Sequence, residues 1–293
     1  TNEETLNLKQ MMEWPKKMEK DKDFMKHLRE NMIEPILNQT KLIVKHKETG
    51  KKTKFRIEEI EIYVKTDFGV FSDDYTHNTK EQEEFLIWYF HKTKGTYRGG
   101  SFKGLDIAIG NQKHEQGKIT GGILIRTVRT KTKQICGPSK TVDAILEAAG
   151  EQSIAKMVAS NTYSPDVTEK NARMYIKYTP QMEKKKIIRS TRVGLTLKAT
   201  QNARTYCVKA LRYLTAPKEI KKGRNNMIVV MFAEKQSTAD ICKETGARQK
   251  WVDNKRDLYQ KGKTTDIKDY EHKKLSADEY VMLAGRLEKD ILS

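Results

Sequence analysis

The clearest alternation of apolar and polar positions lies at 55–64, Phe-Arg-Ile-Glu-Glu-Ile-Glu-Ile-Tyr-Val. Its period of two and its β-branched content predict a strand. Side chains two apart share a strand face, so Phe55, Ile57, Glu59, Glu61 and Tyr63 point one way. Arg56, Glu58, Ile60, Ile62 and Val64 point the other, and the last three suit a core. The first face sets Glu61 beside Tyr63. Desolvation there pushes a carboxylate up toward the range of a useful general base. The competing expectation is an edge strand whose three glutamates are solvated. A strand over 42–45 and a turn carrying Lys47, Lys51, Lys52 and Lys54 complete a hairpin with it.

Around this strand the pattern predicts further elements. Leu6, Leu8, Met11, Met12, Phe24, Met25, Leu28 and Met32 recur at helical spacing over 1–34, with a break at Pro15. Interleaved Lys16, Lys17, Lys20, Lys22 and Lys26 make this stretch either a basic arm or an amphipathic helix packed on the domain. Residues 67–78 read as a loop holding His77, Asp73 and Asp74. Residues 79–91 begin helical and end as an aromatic strand, Trp88-Tyr89-Phe90-His91. Five glycines within 95–110 require either unusual dihedrals or close approach to the backbone, and with Arg98 and Lys103 present a phosphate chain is one candidate for that approach.

Residues 121–129 predict a buried strand, and Arg126 inside it demands an anionic partner, for which Glu61 is the candidate. Cys136-Gly137-Pro138-Ser139-Lys140 then opens a helix, leaving backbone N–H groups for an anion beside Lys140. Residues 151–185 read as a helix followed by loop, 187–198 and 226–232 as strands, and 237–259 and 276–292 as helices. The expected fold is α+β, on a curved, mainly antiparallel sheet with flanking helices. A basic helical arm (1–34) precedes the core (35–233), and a helical extension (234–293) follows it.

Charge narrows the function classes. The 293 residues carry 57 Lys and Arg against 39 Asp and Glu, a net charge of +18. That excess favours a polyanionic partner, most simply DNA, with RNA the alternative and an acidic membrane surface the competitor. No apolar run reaches the ~20 residues of a spanning helix, and no signal-peptide pattern opens the chain. Three cysteines without CxxC spacing and scattered histidines predict a reducing compartment and no metal.

Taken in order, several motifs resemble the alkyladenine (3-methyladenine) DNA glycosylase family. They are Arg56-Ile57-Glu58-Glu59-Ile60-Glu61-Ile62-Tyr63, the loop residue His77, Gly95-Thr96-Tyr97 with Gly104 downstream, and Gly122–Arg126. Cys136–Lys140, Arg192–Leu195 and Leu211–Leu214 continue the series, which covers residues 33–225. The resemblance implies that Glu61 activates a water and Arg126 helps hold it. By the same likeness Tyr63 and His77 line a pocket for a flipped purine, with Tyr97 and Phe102 as further base contacts. Gly137, Ser139 and Lys140, joined by Arg98 and Lys103, would meet the DNA backbone.

The pattern also departs from the family. Lys103 stands where the family's base-displacing tyrosine aligns, Gly100 where a second stacking tyrosine does, and Gly110 where a pocket asparagine does. A lysine cannot wedge into a base stack as a ring does, but Phe102 is adjacent. Trp88, Tyr89 and Phe90 are candidates for the missing stacking face. The activity the resemblance implies is hydrolysis of the N-glycosidic bond of a damaged or modified purine, needing no cofactor, by a protein expected to be a monomer in the nucleus. The alternatives are a non-catalytic nucleic-acid-binding protein of the same fold and a protein–protein module docking through its C-terminal helices.

Overall fold

A computed structural model describes residues 3–293, with side chains from Leu8 onward, so Leu6 lies outside the described side chains. The chain divides into two compact units. One comprises the residues up to Ser72 with Thr76–Ile187, and the other Asp73–Tyr75 with Ile188–Ser293. The fold is α+β, with a large, mainly antiparallel sheet.

In the first unit the alternating stretch is the 15-residue strand β2 (Lys52–Thr66), longer at both ends than its sequence pattern. It pairs with β1 (Thr40–Lys45), joining Leu42 to Phe55, and with β7 (Ile119–Arg129), joining Glu61 to Leu124 and Tyr63 to Gly122. Between these strands lie β3 (Phe85–Phe90), a small β4–β5 hairpin (Lys92–Thr93, Thr96–Tyr97) and β6 (Leu105–Ile109). The antiparallel order runs from β9 (Met174–Tyr178) through β1, β2, β7 and β6 to β3, with β8 (Gln134–Cys136) on the end of β7. β2 is therefore no edge strand. Glu58, Glu59 and Glu61 are 0%, 2% and 0% exposed, so the expectation of solvated glutamates is overturned.

Helices α1 (Glu3–Met12) and α3 (Glu34–Asn38) pack against this sheet, and α2 (Asp21–His27) packs on the helical turn that leads into α3, so the segment is no free arm. Leu8, Met12, Phe24, Leu28 and Met32 are all buried. Trp14 stacks on Phe24 at 4.9 Å, Phe24 on Phe71 at 4.7 Å, and Trp14 Nε1 donates to the Ile109 carbonyl at 2.6 Å. α4 (Pro138–Ala149) starts at the predicted proline and ends in a left-handed Gly150. Residues 151–185, read as helix and loop, also contain β9 after the short α5 (Ile154–Val158). β9 is an alternating Met-Tyr-Ile-Lys-Tyr, too short to stand out until β1 offers it a partner.

In the second unit the predicted strand over 187–198 shrinks to β10 (Ile188–Ser190), which pairs with β11 (Arg212–Leu214) after α6 (Gln201–Val208). The apolar run 226–232 is not a strand but the core of α7 (Arg224–Ala233). All seven of its residues are buried, and a helix buried all round shows no amphipathic period to read. The remaining helices are α8 (Thr238–Thr245), α9 (Gln249–Gly262), α10 (Ala277–Arg286) and α11 (Glu288–Ile291). Gly246 divides what the sequence reads as one helix over 237–259. Among the described residues no helix is long and apolar enough to cross a membrane.

Candidate active site

The β2–β7 pairing is irregular at two places, and the extra residues there are Glu58 on β2 and Arg126 on β7. Such bulges re-aim side chains, and both residues displaced here are charged. Arg126 lies beside the two carboxylates of the facing strand. Its Nε donates to Glu59 at 3.0 Å, and its Nη1 lies 3.3 Å from Glu61. Tyr63 donates its hydroxyl to Glu61 Oε2 at 2.9 Å, and Thr127 bonds the second Glu59 oxygen. Burial pushes the Arg126 guanidinium down, but Glu61 and Glu59 outweigh it and hold the group above its ordinary range. The arginine's demand for an anion is thus met by Glu61, as the sequence suggests, and by Glu59 as well.

The neighbouring strands extend this face. Directly opposed residues project to the same side of an antiparallel sheet, so Glu61, Leu124, Asp106 and Tyr89 form one row across four strands. Tyr63, Gly122 and Ala108 form the next row, two of its three side chains very small. Asp106 stands two strand spacings from Glu61, about 10 Å. It is 2% exposed, accepts from His91 Nε2 at 2.7 Å and receives the Gln82 amide at 3.3 Å. Two glycines in this neighbourhood make room for side chains of the site. A Cβ on Gly122 would stand 2.6 Å from the Asp106 carboxylate, and one on Gly104 2.6 Å from the His91 ring. The close approach inferred for part of the glycine-rich stretch is therefore made by the protein's own imidazole.

His77 is exposed and meets His91 edge-on, with ring centroids 5.8 Å apart. Tyr89 lies 5.3 Å from His91 and Tyr63 is half-buried. Trp88 and Phe90 leave β3 on the opposite face from Tyr89, and all three are buried. Tyr97 sits apart from the Glu61 row, edge-on to Phe90 at 6.5 Å and under Lys92. Arg98 donates its backbone N–H to the His91 carbonyl and its Nε to Thr93.

A second grouping forms where α4 begins. Gly137 N–H and Thr141 Oγ1 both bond the Arg126 carbonyl, at 2.7 and 3.2 Å, which ties the start of the helix to the strand residue that holds Glu61. Ser139 donates to the Gly100 carbonyl at 2.7 Å, bringing the Gly100–Phe102 turn to the same place. Lys103 turns inward, bonding Gly100 O and lying 3.1 Å from Asp143, whereas Phe102 is 74% exposed. Lys140 is exposed, and with Lys51 and Lys133 it lines a cavity of about 840 Å³ that also reaches Cys136.

No family model matches the chain. The uncharacterized protein L759 of Acanthamoeba polyphaga mimivirus is 34% identical to it over 155 residues, 49% of this chain and 70% of the viral one. The chain belongs to that protein's family.

Two side chains of this candidate site, Asp106 and His91, are not among the residues that the sequence singles out. Asp106 sits in Leu-Asp-Ile-Ala-Ile, an acid within an apolar strand, and the reasoning that picks out Arg126 applies to it equally. His91 carries no comparable signal, because its role depends on Gly104 and Asp106 approaching from another strand. Among the described residues no three His, Cys, Asp or Glu side chains converge as a metal site requires.

Proposed function

We propose that the protein hydrolyses the N-glycosidic bond of a damaged or modified purine flipped out of DNA, with Glu61 as the general base. The observation that carries this reading is the setting of Glu61. Its carboxylate is sealed from bulk water and fixed by Arg126 and the Tyr63 hydroxyl, on a face floored by Gly122 and Ala108. A carboxylate oriented in this way spends little reorganisation when it takes a proton from a water. An alkylated purine is already cationic and leaves readily, so one positioned water and one base suffice. Tyr63 and His77 would offer ring faces to an electron-poor base. Phe102 would act as the apolar wedge, since it projects where Lys103 does not. Net positive charge and the lysines near α4 fit a phosphate backbone.

One observation favours a second reading, in which the fold binds nucleic acid without cutting. Glu61 is 0% exposed and held in an ion cluster, an arrangement that a purely structural carboxylate also adopts. Base release from duplexes carrying hypoxanthine, ethenoadenine or a 3-methyladenine analogue separates the two. The natural protein is expected to release a base, and Glu61→Gln to slow release by about 10²–10⁴-fold with DNA binding retained. Equal release by both forms removes Glu61 from the chemistry. Salt-sensitive binding with no release by either form selects the second reading.

A further inference from the structure

The second unit contains a cavity of about 740 Å³, within the size range of small-ligand sites, and none of the residues of the Glu61 face lines it. Its wall carries three cations, Lys221, Arg224 and Lys274, and no acidic residue. Among the described residues none of the three is in an ion pair. Trp251 and Leu195 add apolar surface, and Trp251 is half-buried with Lys255 Nζ 5.7 Å from its ring centroid.

Arg224 and Asn225, both half-buried residues of this wall, each carry one side-chain atom without a partner, Arg224 Nε and Asn225 Oδ1. Buried polar groups are normally satisfied, because each orphan costs desolvation free energy. The Asn225 amide has its orientation set, since Nδ2 donates to the Ala277 carbonyl at 3.4 Å, leaving Oδ1 as an acceptor. The two orphans therefore ask for opposite things. Arg224 needs an acceptor and Asn225 needs a donor. Both lie in the first turn of α7, whose N-terminus has no side-chain cap, so the helix dipole adds to the preference for negative charge. The start of α10, also in this wall, differs: Ser276 and Glu279 already close it with a capping box.

We infer that this cavity binds a nucleotide unit, with its phosphate at Arg224 and the α7 N-terminus and its base against Trp251. A phosphate supplies the acceptor. An exocyclic amine or a sugar hydroxyl supplies the donor, and a base supplies the planar surface. Bare phosphate lacks the last two, and a nucleoside lacks the first. That chemistry comes from two sources, a free mononucleotide or one residue of a single strand.

The test titrates the full chain with AMP, adenosine, inorganic phosphate and a short single-stranded oligonucleotide, reading tryptophan fluorescence and calorimetric heat. AMP is expected to bind at least about tenfold tighter than either adenosine or phosphate. Arg224→Gln should weaken AMP by about tenfold or more, and Trp251→Ala should weaken AMP while leaving phosphate binding as it was. Lys274→Glu, at an exposed position, should weaken AMP in a chain whose thermal unfolding is unchanged, which guards against misfolding of the other variants. If the strand binds more tightly than AMP, and Arg224→Gln and Trp251→Ala both weaken it, the source is a strand. If AMP binds as tightly as the strand, the source is the free nucleotide. AMP binding no tighter than phosphate, binding untouched by all three variants, or no binding by either nucleotide form overturns the inference. None of these outcomes depends on whether Glu61 is a catalytic base.

Discussion

Arg192 and Arg126 are both buried, and their partners differ. Arg192 meets one carboxylate side by side, Nη1 and Nη2 each bonding an oxygen of Asp73, and Nη2 also reaches the Tyr206 carbonyl at 2.9 Å. Arg126 instead spans two carboxylates from one strand, Glu59 and Glu61, with a tyrosine hydroxyl on the second. The first arrangement is a bidentate lock whose geometry is fixed by two parallel bonds. The second makes the arginine a bridge, so either acid can change without stranding it. A buried arginine that holds a carboxylate while remaining anchored by another suits a site better than a girder.

Breaking the lock should have the largest effect. Arg192→Met fills the space but leaves Asp73 buried without its bidentate partner, and Asp73→Asn leaves Arg192 in the same position. Each should cost about 3–5 kcal/mol, read from denaturant midpoints with unchanged slope. The bridge should yield less. In Glu61→Gln the Arg126 guanidinium keeps Glu59, so a loss of about 1–2 kcal/mol is expected in the same measurement. A Glu61→Gln cost equal to that of Asp73→Asn would show that the two arginines are buried in equivalent ways.

How much of this was legible in the sequence depends on where each signal resides. β2 and β7 announce themselves through period and β-branching, and the Glu61–Arg126 contact follows from the rule that a buried charge needs a counter-charge. Glu59 as the second partner does not follow, because the bulges that bring it to Arg126 arise from the pairing of two strands rather than from either one. The solvated-glutamate alternative fails for the same reason. Strand sequence gives the face, and neighbours decide whether that face sees water. Asp106 was legible by the rule applied to Arg126. The helix α7 was not, since Met-Ile-Val-Val-Met-Phe carries β-branched residues and no period, and only burial on all sides accounts for it.

Glu58, the third buried acid of β2, sharpens the comparison by the smallest margin. Arg129 and Lys185 hold one of its oxygens at 2.8 and 3.2 Å, and the Gln134 amide holds the other at 2.7 Å. Both cations are about a quarter exposed, at 27% and 29%, so solvent already offsets part of what they contribute. Burial pushes the Glu58 carboxyl up, but Arg129 and Gln134 outweigh it, leaving the group below its ordinary value of 4.5. A folded pKa below the unfolded one means stability that is fully present above the ordinary value and lost as pH falls through the depressed one. Glu58→Gln should therefore cost about 1 kcal/mol at neutral pH, and the two proteins should converge in acid. Denaturant midpoints at pH 7 and at about pH 3 check both halves. A gap that persists unchanged at the lower pH would mean that Glu58 acts through packing and hydrogen bonds that survive protonation, and the stabilising role of its charge would have to be withdrawn.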